Sequence, residues 1–178
     1  ISSRDEKLIK YLANHNHWTT FAHCMVSFRV KAPIIVARQL VKHQVGLVWN
    51  EVSRRYVDSP PEFFTVEAWR KRAENVKQGS SEDTIVWLDR LTRVDSVYDD
   101  VVTHCSKAYS TLIEGGVCPE QARLVLPVAA MTEWIWSGSL YAFARVCNLR
   151  LDSHSQKETT DVAKEISNIC GELFPVSW

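Results

Sequence analysis

Residues 42–56, KHQVGLVWNEVSRRY, are the most chemically informative segment of the chain. The segment combines a histidine, an Asn-Glu pair, a serine and two arginines, a set that a plain hydrophobic core does not require. Ser53, Arg54 and Arg55 offer a hydroxyl and two guanidinium groups, which bind phosphate through charge-assisted, paired hydrogen bonds. Glu51 lies two residues before the serine, near enough to meet the sugar or base of the same ligand. The spacing therefore predicts a nucleotide-binding site.

Ordinary roles are open for the same residue types. A serine beside arginines is also typical of a helix cap next to solvated charges, and His43 is compatible with an exposed loop. Arg123 lies in the apolar run QARLVLP, where it either has a partner or extends its charged head to water along an apolar stem. Arg150, in NLRLDSH, either contacts a ligand or forms a local ion pair with Asp152.

Local patterns predict helices around one small sheet. Apolar spacing indicates a helix over residues 5–14, and alternation indicates a half-buried strand over 24–31. Pro33 suits the first turn of a helix through Val41. Residues 94–114 carry a helical apolar stripe that ends at Gly115-Gly116.

The remainder of the chain extends this pattern. Residues 78–84, QGSSEDT, are predicted to be a flexible connection. Further helices are predicted from Pro119 to about Pro127, over 131–147 and over 153–173. Trp87, Trp134 and Trp136 lie in apolar stretches taken as helical and are predicted to be core or interface residues, whereas Trp49 is the one tryptophan assigned to function. The pattern is α+β, helix-rich and, at 178 residues, typical of a single domain.

Composition limits the partners. Lys+Arg 21 offset Asp+Glu 21, so no bulk field draws the chain to nucleic acid or to an anionic membrane. The five cysteines are scattered without zinc spacing, which predicts free thiols in a reducing compartment and no metal site. No apolar run approaches the roughly 20 residues needed to cross a bilayer, and no signal-peptide pattern is found. We expect a cytoplasmic protein.

Five collinear segments resemble the flavin-dependent thymidylate synthases, the ThyX family. Residues 42–56 resemble the family signature, usually written RHRxxSxNExSxRY. The other four segments fall in the family's order and cover most of the chain with the first: NHWTTFAH at 16–23, VKAPIIVARQ at 30–39, PEQARLVLP at 119–127 and NLRLDSHSQKE at 148–158. The resemblance implies a small, mainly antiparallel sheet and a homotetramer whose active sites are shared between chains.

The match departs from the family in the signature. Lys42 and Gln44 stand where the pattern has Arg, Val48 replaces the first Ser, and one extra residue is inserted beside Gly46. Glycine adopts backbone angles that other residues disfavour and so can absorb an insertion in a loop. The family normally begins with a strand ahead of the first helix, and we expect that this sequence lacks that strand.

The resemblance implies two sets of ligand-binding residues. The first set would surround dUMP, with Ser53 and Arg150 as catalytic residues and Arg54 contributing its backbone amide: Gln39, Glu51, Ser53, Arg54, Arg55, Arg123 and Arg150. The second set would face FAD or the folate: His17, Thr19, Lys42, His43, Gln44, Ser139 and Arg145. The family often has Asn where this chain has Ser139 and Arg145.

The implied reaction is methylation of dUMP to dTMP. Methylenetetrahydrofolate would donate the carbon, reduced FAD the hydride, and NADPH would reduce the flavin, without an enzyme cysteine as nucleophile. One alternative is a nucleotide-binding homologue that has lost flavin chemistry but keeps Ser53, Arg55 and Arg150. Another is a helical oligomer that binds single-stranded nucleic acid through Trp and Arg, against which the balanced charge argues.

Overall fold

The computed structural model describes residues 1–74 and 79–178. Its helices and strands follow in the order α1 Ser3–Asn14, α2 Thr19–Ala22, β1 Met25–Pro33, α3 Ile34–Leu40, β2 Leu47–Glu51, β3 Arg70–Arg72, β4 Ser80–Thr84, α4 Val94–Glu114, α5 Pro119–Ala122, a 3₁₀ turn Arg123–Val125, β5 Met131–Ser139, α6 Leu140–Arg150 and α7 Lys157–Leu173. Helices dominate and the strands are few and short. The predicted helix-rich α+β class is confirmed.

The strands form two small sheets. A three-stranded sheet has the order β1-β5-β2, with β5 in the centre, and β3 pairs with β4 in an antiparallel ribbon. The predicted alternation in β1 is confirmed, because Phe28, Val30 and Ala32 are buried while their neighbours Ser27, Arg29 and Lys31 are exposed.

The central strand corrects one sequence prediction. Residues 131–147 were predicted to be one helix, but Met131–Ser139 is β5 and only Leu140–Arg150 is helical. β-Branched and aromatic side chains favour a pleated strand, and Trp134 and Trp136 are buried on either side of the exposed Ile135. The hydroxyl of Ser139 then caps α6 by accepting a hydrogen bond from the Ala142 amide at 3.1 Å, which marks the change of element.

The predicted flexible connection at 78–84 is also wrong over most of its length. Ser80–Thr84 is β4, paired with β3, and Gln78 lies outside the described residues. Arg70 Nε donates to Ser80 Oγ at 2.7 Å across the ribbon, and Arg70 and Arg72 pair with Thr84 and Ser80. Its polar composition therefore reflects an exposed ribbon rather than a lack of regular structure.

Helix ends follow local chemistry. Ser2 and Asp5 form a capping box at the start of α1, and α4 ends at the predicted glycines, where Gly116 has φ +86°. α7 begins at Lys157, not at Ser153. The backbone N–H of His154 donates a hydrogen bond to Asp152 Oδ1 at 2.8 Å, which holds this segment in a turn.

The chain divides into two compact units. Unit one comprises Ile1–Val30, Gln39–Asn50 and Trp134–Trp178, and unit two comprises Lys31–Arg38 and Glu51–Glu133. The core of unit one is aromatic: Trp49 stacks on Trp134 with ring centres 4.3 Å apart, and Trp136 meets Phe143 edge-on at 5.2 Å. The single-domain organisation stays a prediction.

The core of unit two is built from small aliphatic residues and one aromatic ring. Val36, Ala37, Ala122 and Ala130 are buried there, together with Tyr109 of α4. The core prediction is thus confirmed for Trp134 and Trp136, although on a strand. Trp87 lies outside any helix and is half exposed, so it is not a core residue, and its interface role stays a prediction. Among the described residues, none of the helices has the length and apolar character needed to cross a bilayer.

Candidate active site

A cavity of about 370 Å³ opens in unit two beside the loop that follows β2. This volume is in the range of small-molecule sites. Its walls include five residues predicted to bind dUMP, together with four apolar side chains and one threonine. The lining residues are Ile34, Glu51, Val52, Ser53, Arg54, Arg55, Arg123, Leu126, Met131 and Thr132. The structure therefore brings together the serine, carboxylate and guanidinium groups that were predicted to form one site.

Ser53 and Arg55 form a connected pair in this cavity. Arg55 Nε donates to Ser53 Oγ at 2.9 Å, and its Cζ lies 5.1 Å from the centre of the Tyr56 ring. The Tyr56 amide donates to the Ser53 carbonyl at 3.2 Å, which closes a turn. The serine thus orients the guanidinium plane, and both groups suit an anionic ligand.

Arg123 reaches the same cavity from a different element. Pro119 begins α5, and the following 3₁₀ turn presents Arg123 as an exposed residue whose Nε donates to the Glu120 carbonyl at 3.2 Å. The two predicted alternatives were a partner for the guanidinium and its extension into water. The side chain is exposed, as in the second alternative, so its charge is not buried. It also lines the cavity, where a solvated guanidinium is available to an anion.

Glu51 is positioned by a residue that sequence reasoning missed. Thr132 Oγ1 donates to Glu51 Oε1 at 2.7 Å, and the Val52 amide donates to the Glu133 carbonyl at 2.9 Å beside it. β2 and β5 are neighbours in the sheet, so this pair bridges two strands. Thr132 escaped notice because its segment was predicted to be helical; its β-branched neighbourhood was the available signal.

The two adjacent arginines of the signature have different surroundings. Arg54 Nη2 donates to the Ser59 carbonyl, and its Cζ lies 5.4 Å from the centre of the Tyr109 ring. Arg55 instead is exposed and bound to Ser53. The Arg54 side chain is therefore engaged by the protein, and the role of its backbone amide toward a ligand stays a prediction.

A second group of predicted residues meets in unit one around Arg150. Arg150 Nε donates to His43 Nε2 at 2.9 Å, and its Nη2 lies 3.4 Å from the Gln39 carbonyl oxygen, which accepts a hydrogen bond. His43 is half-buried, so the exposed-loop alternative is wrong. Asp152 bonds to His154 at 2.9 Å instead of pairing with Arg150, and hydrogen bonds from the His154 amide and ring hold the pKa of Asp152 below its usual value.

The electrostatics of this group keep His43 neutral. Burial lowers the pKa of His43 most, and the positive charges of Arg150 and then Arg145 lower it further. Because Nε2 accepts a hydrogen bond from Arg150, the proton of the neutral ring must be on Nδ1. Burial also lowers the pKa of Arg150, although guanidinium groups remain charged in proteins.

Gln39 is held from the start of α7. Its amide nitrogen donates to Gln156 Oε1, and its oxygen accepts from Thr159 Oγ1 at 3.2 Å. Thr159 is fully buried, so this hydroxyl needs the partner. Gln156 and Thr159 were missed because they lie 117 and 120 residues from Gln39, beyond the reach of local patterns.

The remaining predicted flavin or folate residues are also in unit one. His17 is exposed and lines a cavity of about 230 Å³ with Trp18 and Tyr141, whose rings lie 5.7 Å apart. Thr19 begins α2. Lys42, Gln44 and Arg145 are exposed, while Ser139 is buried as the cap of α6.

The groups of unit one fit a flavin nucleotide in chemical type. Such a cofactor carries an anionic diphosphate and ring carbonyls, which require cationic and N–H donors. Arg150 and Arg145 place positive charge near His43, which follows Lys42 in sequence. In residues 1–74 and 79–178, no three His, Cys, Asp or Glu side chains cluster so as to hold a metal ion.

The fold and the cavity define an α+β protein with an arginine-lined site for an anionic ligand. Residues 2–176 match the family model described as thymidylate synthase complementing protein. The chain belongs to this family, that of the flavin-dependent thymidylate synthases.

Relatives share sequence over nearly the whole chain. The flavin-dependent thymidylate synthase of Thermosipho africanus is 37% identical over 97% of this chain and 74% of its own length. That of Thermus thermophilus is 37% identical over 98% of this chain and 62% of its own length, so this chain spans about three fifths of that relative. A solved structure, the UMP/dUMP methylase PolB from Streptomyces cacaoi bound with 5-Br dUMP, is 26% identical and superposes with a TM-score of 0.85 over 99% of this chain and 79% of the other.

Proposed function

We propose that this protein methylates dUMP to dTMP as a flavin-dependent thymidylate synthase. Family membership and the activity for which its relatives are named support the reaction class. The observation that carries the proposal is the unit-two cavity, where Ser53, Arg55, Arg123 and Glu51 meet. Two guanidinium groups and a hydroxyl suit a phosphate, and a carboxylate suits the hydroxyl of a sugar.

Each residue of the proposed dUMP site has a distinct task. Arg55 and Arg123 neutralise the phosphate, and Ser53 orients Arg55 and adds a hydrogen bond. Arg54 contributes its backbone amide. Glu51, held by Thr132, accepts a hydrogen bond from the sugar.

Gln39 and Arg150 complete the proposed dUMP set. The charge of Arg150 stabilises negative charge that develops on the uracil ring during attack by C5. Gln39 aligns the guanidinium through its carbonyl oxygen. Transfer of the methylene carbon would form its bond to C5 and break its bonds to the two folate nitrogens, which take up protons to leave tetrahydrofolate. C5 would lose its proton, and a hydride equivalent from the reduced flavin would complete the methyl group.

We also propose FAD, methylenetetrahydrofolate and NADPH as the other reactants. The flavin, when bound, supplies the reducing equivalents that convert the transferred methylene into a methyl group. The residues that would hold flavin and folate are His17, Thr19, Lys42, His43, Gln44, Ser139 and Arg145. The neutral imidazole of His43 offers its Nδ1–H as a donor, and Arg145 offers a charge to the diphosphate.

A homotetramer with shared active sites is part of the proposal. Unit one exposes large apolar side chains on its strands, among them Met25 and Val48, and on α1 it exposes Leu8 and Tyr11. Apolar surface of this kind favours burial against another chain. The five unpaired cysteines support a reducing compartment.

The test supplies purified protein with dUMP, methylenetetrahydrofolate, NADPH and FAD, and measures dTMP by chromatography. UMP is run in parallel, because the Streptomyces neighbour is described as acting on both nucleotides. We expect dTMP formation that Arg55→Met reduces at least tenfold and that Arg90→Met, at an exposed arginine of the same unit, leaves unchanged. Folded protein that binds FAD and dUMP without product would contradict the proposal. A colourless protein that binds dUMP alone would favour a homologue without flavin chemistry.

A further inference from the structure

The loop that carries Ser53 and Arg55 is fastened at both of its ends. We name residues 53–59 the arginine loop. At its start, the Tyr56 amide bonds to the Ser53 carbonyl at 3.2 Å. At its end, Arg54 Nη2 donates to the Ser59 carbonyl, so the side chain of the second residue of the loop reaches back to its last.

The loop is also attached to helix α4. Tyr109 is almost fully buried in α4, and its hydroxyl donates to the Val57 carbonyl at 3.1 Å. The guanidinium of Arg54 lies over the face of the same ring, with its Cζ 5.4 Å from the ring centre, within the range of a cation–π contact. Its Nε is buried as well. One aromatic ring thus binds the loop by its face and by its hydroxyl.

We propose that Arg54 and Tyr109 are positioning residues that latch the arginine loop to α4 and so fix Ser53 and Arg55 for a phosphate monoester. The inference deepens the proposed function and rests on it. Among the described residues between β2 and β3, the only β-bridge is the isolated one between Phe63 and Ala130. Residues 53–59 therefore have no partner strand. The latch supplies the order that a sheet would otherwise give.

The physical consequence is specific to the phosphate. A loop that is already ordered loses less conformational entropy when it binds a ligand, which raises affinity. Because the latch orders the arginine loop, its loss should weaken the contacts that Ser53, the Arg54 amide and Arg55 make with the phosphate. A nucleotide with a phosphate should therefore lose affinity, while the matching nucleoside should not.

The experiment compares dUMP with deoxyuridine by calorimetry on the full chain. We expect Arg54→Met to weaken dUMP binding about fivefold to tenfold, because the cation–π contact and the bond to Ser59 are both lost. Deoxyuridine affinity should change less than about twofold. Arg54→Lys keeps a cation over the ring without the fork and should give an intermediate loss.

A second variant guards against a folding defect. Tyr109→Phe keeps the buried ring and its contact with Arg54 but removes the bond to Val57, and we expect about a threefold loss of dUMP affinity. Arg90→Met is the matched control and should match the wild type. The wild type should bind dUMP more tightly than deoxyuridine. If Arg54→Met and Tyr109→Phe both leave the ratio of these two affinities unchanged, the proposed role of the latch is refuted. A wild type that binds neither ligand would instead overturn the proposed function, and the inference with it.

Discussion

Arg150 Nε donates a hydrogen bond to Nε2 of His43 at 2.9 Å, although the two residues are 107 positions apart in sequence. A guanidinium has only donors, so the bond exists only while the imidazole is neutral. This hydrogen bond joins one residue of the predicted flavin set, His43, to one residue of the predicted substrate set, Arg150. Protonation of the His43 ring would break it.

The first prediction follows from the lowered pKa of His43. Below the ordinary value of 6.5 the unfolded chain takes up a proton at this histidine more readily than the folded chain does. The contribution to stability is therefore complete above pH 6.5 and is lost as the pH falls through the lower pKa of the folded state. Urea unfolding across this range should show a steeper loss for the wild type than for His43→Gln, which accepts the same bond but does not titrate. Superimposable profiles would rule out the neutral histidine.

The second prediction concerns the hydrogen bond from Thr132 to Glu51. Thr132→Val keeps the shape but removes the donor, which should cost about 0.5–1.5 kcal/mol in dUMP binding and raise KM with little change in kcat. Thr132→Ser should behave as the wild type does. In a Glu51→Ala background the valine should have no further effect, because the coupled partner is gone. Additive losses in the double variant would show that Thr132 does not act through Glu51.

The third prediction tests the close approach of Gly138 to Gly46 and Leu47. A Cβ at Gly138 would lie 2.5 Å from both the Gly46 carbonyl oxygen and Leu47 Cδ2. Gly138→Ala should therefore destabilise the fold by about 1–3 kcal/mol in chemical unfolding, since backbone must move. Gly171→Ala is the control: its nearest neighbour would be at 3.6 Å, and alanine in a helix should stabilise by about 0.5–1 kcal/mol. Equal changes in the free energy of unfolding for Gly138→Ala and Gly171→Ala would contradict the close approach at Gly138.

The fourth prediction concerns thiol reactivity. Burial raises the pKa of the Cys147 thiol to about 12 and that of Cys170 to about 11, whereas Cys118 is exposed. Because the thiolate is the reactive form, a thiol reagent at pH 8 should modify Cys118 rapidly and reach the two buried thiols only in denaturant. Cys118→Ser should remove the fast phase. Rapid labelling of Cys147 in the folded protein would refute this.

Local chemistry was sufficient for several elements. The paired glycines at 115–116 placed the end of α4 correctly, and alternation found β1. Four of the five predicted residues that line the unit-two cavity could be grouped from the sequence because they lie within residues 51–55, at the end of β2 and in the loop that follows. The free cysteines were also predicted correctly.

Other features depend on contacts that no local pattern encodes. Residues 131–147 join a strand to a helix without a break in apolar character, and only the cap at Ser139 marks the change. Arg54 and Arg55 are the same residue type, and Tyr109 on a distant helix decides that the guanidinium of Arg54 is the one held against α4. Thr159 meets Gln39 only because the tertiary fold brings α7 to that position.

The stack of Trp49 on Trp134 has an optical consequence. With ring centres 4.3 Å apart and planes inclined by 17°, the transition dipoles of the two indoles are close enough to couple. Their coupling should produce a paired positive and negative band in the far-ultraviolet circular dichroism spectrum, where the strong indole transition lies. The strand that ends in Glu51 therefore carries a built-in chromophore, and its loss during titration with denaturant would report when that strand separates from its neighbour.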